Sequence, residues 1–260
     1  MMNFIDSPST PSLNVKVKVA PERQIASRSS MLACQLRTAS RGLFCAASRS
    51  MTTTLDGVKL YDAQAPNCRR VRMFLAEKGV SCEVVQVDIG KAENRTPEFI
   101  AKTGTDQVPI LELPGGVFIS ESQAICRYVE AAVPLPAVMG ASPQEVASAE
   151  MWARKVEFGL MATVIGTFKH TSPFFAGKVD QCPEFGAFNQ ARIEAELANL
   201  DGVLADGRAF IGGEALGPAD ISAICTLDFA RVLKVKVDAG VTPHLAKWFD
   251  AMKARSSYKA

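Results

Sequence analysis

Apolar residues first fall into a regular pattern at Val58-Lys59-Leu60-Tyr61, a short run of β-formers that reads as a strand. Pro66-Asn67 leads into CRRVRMFLAEKG, where Val71, Phe74 and Leu75 form one helical stripe and Gly79 is a natural stop after Lys78. Cys82 to Val87 reads as a second strand, and Asp88 to Asn94 as a loop. Pro97-Glu98-Phe99-Ile100 suits a short helix with proline at its first position. Two apolar runs, Ile110 to Leu113 and Val117 to Ile119, flank Pro114-Gly115-Gly116 and predict a β-hairpin. Ser120, three residues before Gln123, is placed as a capping box, and Ile125, Tyr128 and Val129 give the helix that follows its apolar side.

Beyond a Pro/Gly-containing linker at 132–142 the strand signals stop. Pro143 to about Lys169 carries Val146, Trp152, Val156, Leu160 and Val164 at helical spacings. Glu184 to Ala205 is a second long helix with Ile193, Leu197, Leu200 and Leu204 on one side. Gly217-Pro218-Ala219-Asp220 supplies an N-cap, a first-turn proline and an N3 acid for a buried helix running to about Leu233. Leu216 and Ile221 form its hydrophobic staple. His244 to Met252 is a last helix, with Trp248 turned inward. The order β-α-β-α-β-β-α, with a proline before the third strand and a hairpin straight after it, is a thioredoxin-like α/β layout. The expected organisation is an extension over 1–50, a thioredoxin-like domain over 56–136 and an all-α C-terminal domain over 142–260.

Hydrophobic content of 48% and charge of 22% are those of a globular protein. No run approaches the ~18 apolar residues of a membrane span. The net charge of +2 hides an asymmetry. Residues 1–50 hold seven basic and two acidic residues, leaving 22 basic and 25 acidic in the rest. A mildly acidic body gives no reason to expect nucleic acid. Seven cysteines are scattered without a CxxC or zinc spacing, which points to free thiols, a reducing compartment and no metal.

The basic extension is rich in serine and nearly free of acids. At about 100° per residue Leu32, Leu36 and Leu43 share one helical face with Arg37 and Arg41 opposite. That composition fits a mitochondrial or plastid transit peptide, and a mitochondrial location is expected. The alternative is a cytoplasmic protein translated from Met51.

The stretch from Thr103 to Tyr128 carries the chemistry. Val108 precedes proline and is held extended, and Pro109 has no N–H. The Val108 N–H and C=O are thereby offered to an extended peptide, as an added strand would use them. Glu121 and Ser122 open a helix, whose free amides and dipole favour a carboxylate. The Ser122 hydroxyl adds a donor, and Glu121 offers a counter-charge to an amine. Such an arrangement suits a small zwitterionic peptide. Gln107-Val108-Pro109, followed about a dozen residues later by Glu121-Ser122, resembles the glutathione site of cytosolic-type glutathione S-transferases. APNCRRVRMFLAEKG and the PEF–VP spacing also resemble that family, especially theta/zeta-like members and their bacterial and fungal relatives.

The resemblance covers about four-fifths of the chain. It implies a cis Val108–Pro109 bond, glutathione as co-substrate on Gln107, Val108, Pro109, Glu121 and Ser122, with Asn94 and Arg95 at the glycine end, a homodimer, and attack of the thiolate on a small hydrophobic electrophile. A free thiol with a pKa of about 8.5 needs its anion stabilised near neutrality. The family's usual serine falls on Ala65, which has no hydroxyl. Three groups stand in its place: the Asn67 amide, the backbone amides of Asn67 to Arg69, and Cys68 as a thiol nucleophile. His170, closing the long helix, is a further candidate for positioning a water or the thiolate. Phe158, Met161, Ala162, Ile165 and Phe168 are candidates for the electrophile pocket. The alternatives are a glutathione-dependent isomerase, peroxidase or thiol transferase, and a non-catalytic glutathione-binding module.

Overall fold

Residues 52–260 are described by a computed structural model of the chain; the targeting reading of the extension lies outside them. Four strands and eight α-helices follow in order. They are β1 (Thr53–Asp62), α1 (Pro66–Lys78), β2 (Val80–Gln86), α2 (Pro97–Thr103), β3 (Ile110–Leu113), β4 (Val117–Ile119) and α3 (Ser122–Ala132). The helical part then comprises α4 (Pro143–Val156), α5 (Ala162–Thr171), α6 (Pro183–Leu204), α7 (Pro218–Ala230) and α8 (Pro243–Lys253).

The sheet has the order β2-β1-β3-β4, with β2 parallel to β1 and the β3–β4 hairpin antiparallel. This is the expected thioredoxin-like α/β layout followed by helices alone. β1 is longer than its apolar run predicts, because Thr53 and Thr54 pair with β2 on the far side of a register break. Gly57 lies within that break at a φ of 72°, a conformation glycine adopts without strain. The long helix expected from Pro143 to Lys169 is interrupted. One π-helical turn, Glu157–Met161, separates α4 from α5.

The main core runs without a gap from the sheet into the helices. Leu60, Phe74, Leu111 and Ile125 belong to one buried cluster with Leu160, Ile193, Ile224 and Trp248. On α1 and α7, Met73 and Cys225 bring their sulfurs to 3.5 Å. A smaller cluster of Tyr61, Val87 and Ile110 lies on the other sheet face, where Phe99 and Phe118 pack on it. The Tyr61 hydroxyl donates to Glu112 at 2.5 Å and takes a hydrogen bond from Lys102.

Two clamps tie α1 to distant segments. Arg255 donates to both Glu77 carboxylate oxygens at 2.7 Å, and Ser257 adds a third donor. Arg69 donates to Asp228 at 2.5 Å and to the Tyr258 carbonyl at 3.0 Å, with its guanidinium 4.7 Å from the Tyr258 ring centre.

Asp220 holds the helical part together. Its side chain is fully buried. It accepts from the Ile211 amide at 2.8 Å, the Gly217 amide at 3.0 Å and the Trp248 indole at 2.9 Å. The expected capping role is therefore joined by a tie to α8. Burial pushes the carboxyl up to about 6, against the pull of these three donors.

Replacing Asp220 by Ala strands three buried donors at ~1 kcal/mol or more each, so urea unfolding should show a loss of roughly 3 kcal/mol or more. The folded state holds the Asp220 proton more tightly than the unfolded chain, whose carboxyl titrates near 3.8. Its contribution to stability is therefore largest below about pH 4 and declines as the pH rises through about 6. The stability gap between wild type and Asp220→Ala should narrow over that interval.

Candidate active site

β3 is preceded by the loop that carries Val108. The Val108–Pro109 bond is cis. Pro109 is buried, and among the described residues no hydrogen bond engages the Val108 backbone. The adjoining loop is braced from inside. Asn94 donates to the Asp106 carbonyl at 2.6 Å, and the Gln107 side chain donates to the Asp106 carboxylate at 2.6 Å. Arg95 is exposed and lies 3.9 Å from Asp106. Asn94 and Arg95 are thus next to the Gln107–Val108 turn, although the contacts they make there are structural ones.

α3 opens on Glu121, an exposed residue at a φ of 68°. A non-glycine residue in that region is strained, and such strain collects at functional sites. The first α3 hydrogen bond runs from the Ile125 amide to the Glu121 carbonyl, so the amides of Ser122, Gln123 and Ala124 have no backbone partner. The capping box expected from Ser120 and Gln123 does not form. Gln123 instead donates across to Ser222 on α7 at 3.2 Å. With no side chain spent on a cap, the helix start stays open to a carboxylate.

Sequence reasoning did not single out the residue that supports this seat. Arg70 on α1 is almost completely buried and donates to the Ser122 hydroxyl at 2.7 Å. Its other terminal nitrogen lies 2.6 Å from the Met161 sulfur, and Glu157 approaches to 3.8 Å. With the Ser122 oxygen occupied as an acceptor, the hydroxyl proton is free to be donated outward. The neighbouring arginines of α1 do not share this role. Arg69 is spent on Asp228, and Arg72 donates to Asp62 at 2.7 and 2.8 Å.

At the start of α1 the N-cap is Ala65, which makes no side-chain hydrogen bond. Pro66 has no N–H, and the first helical bond runs from the Arg69 amide to the Ala65 carbonyl. The Asn67 and Cys68 amides are left without a backbone partner. Asn67 makes no side-chain hydrogen bond among the described residues, and its Oδ1 is buried. An enclosed oxygen without a donor is costly until a ligand supplies one.

Cys68 faces the other way. It is fully enclosed, and burial pushes its thiol up to about 12. At neutral pH the group is protonated and inaccessible, so the nucleophilic role weighed for it is not supported. His170 ends α5, where its Nδ1 accepts from the Cys182 amide at 3.0 Å and its ring meets Phe185 edge-on. These contacts brace the loop into α6, and no described contact joins His170 to Asn67, Val108 or Ser122.

Of the apolar candidates, Met161 is buried and Phe158 is 70% exposed. Phe168 belongs to an aromatic group, 4.8 Å from Phe229 and 5.5 Å from Phe175 between ring centres. Phe229 follows Asp228 directly, and the Arg69–Asp228 pair holds that end of α7 against the first turn of α1. The aromatic group is thereby kept beside the helix start that carries Asn67.

The chain as a whole is similar to known proteins. The family profile "Glutathione S-transferase, N-terminal domain" matches residues 65–132, and "Glutathione S-transferase, C-terminal domain" matches 188–256. Glutathione S-transferase 2 of Saccharomyces cerevisiae is 33% identical over 205 residues, spanning 77% of this chain and 87% of the yeast protein. The crystal structure of yeast Gtt2 superposes with a TM-score of 0.72 at 32% identity, covering 77% of this chain and 98% of that one. A glutathione S-transferase domain-containing protein of Marinobacter aquaeolei gives 0.72 at 36% identity, over 76% of this chain and 98% of its own. Probable elongation factor 1-gamma 2 of Arabidopsis thaliana is 29% identical over 64% of this chain and 39% of its own length. With both profiles matched in order and the sheet, the open α3 start and the helical part in place, the chain belongs to the glutathione S-transferase family.

Proposed function

We propose that this protein binds glutathione along Val108 and the start of α3 and transfers its thiolate to a small hydrophobic electrophile. The observation that carries this reading is the pairing of an unengaged Val108 backbone with the uncapped α3 start, where Arg70 holds Ser122. The peptide's cysteinyl unit pairs with Val108 as an added strand would. Its γ-glutamyl carboxylate takes the Ser122 hydroxyl and the first α3 amides. Glu121, exposed at the helix N-cap, meets the ammonium.

Thiolate stabilisation falls to the start of α1. The free Asn67 and Cys68 amides and the helix dipole favour an anion, and the Asn67 side-chain amide adds a neutral donor. Asn67 therefore takes the place left by Ala65, while Cys68 contributes through its backbone alone. The electrophile lies against the Phe168, Phe175 and Phe229 group. Two chains associate as a homodimer, by likeness to the family.

A second reading has its own support: a glutathione-binding module without turnover. Ala65 supplies no hydroxyl, and elongation factor 1-gamma proteins are among the relatives. Retention on immobilised glutathione without conjugation of a chloronitrobenzene would establish that reading.

Ser122→Ala should weaken glutathione binding roughly ten- to a hundredfold, the range for one hydrogen bond to a charged group. Isothermal calorimetry measures this directly, and unchanged affinity would remove Ser122 from the site. Asn67→Ala should lower kcat for chloronitrobenzene conjugation about tenfold or more while leaving KM for glutathione nearly unchanged. The bound thiol should then titrate at higher pH when followed by thiolate absorbance. If both quantities stay put, the backbone amides act alone.

A further inference from the structure

The aromatic group beside the α1 start is bordered by charge of one sign. From Phe158 to Val179 the chain carries Lys169, His170 and Lys178 and no acid. From Phe229 to Val237 it carries Arg231, Lys234 and Lys236 and again no acid. This departs from the chain beyond residue 50 as a whole, in which acids outnumber bases. Asp228, the carboxylate next to Phe229, is already spent: it accepts from Arg69 at 2.5 Å and from the Tyr258 hydroxyl at 3.1 Å. None of Lys169, Lys178 and Arg231 has an ion-pair partner among the described residues.

Lys178 is the cation that the fold brings onto the aromatic surface. Pro173–Phe175 makes a single 3-10 turn. Gly177 follows at a φ of 71°, and the Lys178 amide donates back to the Phe175 carbonyl at 3.0 Å. This reversal sets the ammonium 3.8 Å from the Phe174 ring centre. Phe174 lies nearly parallel to Phe168 with ring centres 6.3 Å apart, and Phe168 meets Phe229. The surface is open: Phe174 is 45% exposed, and Phe168, Phe175 and Phe229 are each partly exposed. A ring face gives an ammonium only part of what a counter-ion gives. An unpaired cation over an apolar surface draws in anions that have an apolar body.

The geometry points to an aromatic electrophile that carries an anionic group, its ring against Phe168 and Phe229 and its carboxylate at Lys178. This inference rests on the transferase reading and narrows its substrate class. With a chloroarene, the glutathione thiolate forms a bond to the chlorine-bearing carbon. Chloride leaves with the electron pair of the broken C–Cl bond, and the thiol proton has already passed to solvent. The anionic group takes no part in that exchange. It decides which compound is held in place, so its effect falls on kcat/KM for the electrophile.

Two compounds test this: a chlorodinitrobenzoate and the corresponding benzamide, with the carboxylate or amide opposite the chlorine. Each kcat/KM is divided by the uncatalysed rate constant with glutathione, which removes the difference in intrinsic reactivity. Wild type should favour the benzoate about fivefold, the scale of one partly exposed ion pair. The preference should fade towards parity at about 1 M salt. Lys178 is exposed on a turn, so its substitution leaves the core untouched. Lys178→Gln should bring the ratio close to parity, and Lys178→Glu should invert it in favour of the benzamide. A wild-type enzyme that turns over the benzamide without preferring the benzoate overturns this inference alone. A preference that survives both substitutions, or that salt leaves unchanged, overturns it equally. Glutathione binding without turnover of either compound removes the transferase reading and this inference with it.

Discussion

The enclosure of one cation sets the terms for the rest of the molecule. Arg70 projects from α1 into the interior, and burial lowers the pKa of its guanidinium while Glu157 works in the opposite direction. A charge taken out of water must be met by neighbours. Here they come from two elements: the Ser122 hydroxyl at the start of α3, and the Met161 sulfur and Glu157 carboxylate of the π-helical turn. This side chain thereby joins the Arg69–Asp228 and Arg255–Glu77 clamps in holding the α/β part against the helical part. The seat for a carboxylate is consequently as rigid as the contact between the two parts.

The helix starts differ in how their first amides are met. α4 begins with a capping box, Ser142 with Glu145, and the Thr96 side chain caps α2, so amides at these starts are satisfied from within. α1 and α3 begin with Ala65 and Glu121, neither of which makes a side-chain cap. An uncapped start gives up roughly 1 kcal/mol. Among the helices that begin without a side-chain cap, α1 and α3 are those proposed to face the thiolate and the carboxylate, so ligand anions do there what side chains do at α2 and α4.

What the sequence made legible was local. The hairpin, the Val108-Pro109 turn and the Gly217–Asp220 cap each depend on residues within a few positions of one another, where backbone sterics dominate. What stayed hidden depends on partners far along the chain. Arg70 meets Ser122 across 52 positions and Met161 across 91, so nothing near it in the chain sets it apart from Arg69 and Arg72. Gln123 has the spacing of a capping residue and is drawn instead to Ser222, 99 positions away. Cys68 is a thiol nucleophile by its place at the start of α1, and only its enclosure removes that role. Asp220 was read correctly as a cap, yet its hold on Trp248 needs α8 in place.

The π-helical turn at Glu157–Met161 has a further bearing on how this architecture varies. Such a turn amounts to one residue more than a regular helix accommodates. Removing one amino acid there would let α4 and α5 join as one regular helix with the faces of both kept, whereas the same deletion early in α5 would rotate everything after it by about 100°. Phe168 would then swing away from Phe229, and Thr167 would leave the interior it now occupies. The orientation of α5 relative to α4 is thus a discrete setting, changed by insertion or deletion and hardly at all by point substitution, so descendants can diversify the side chains along α5 while its azimuth stays inherited.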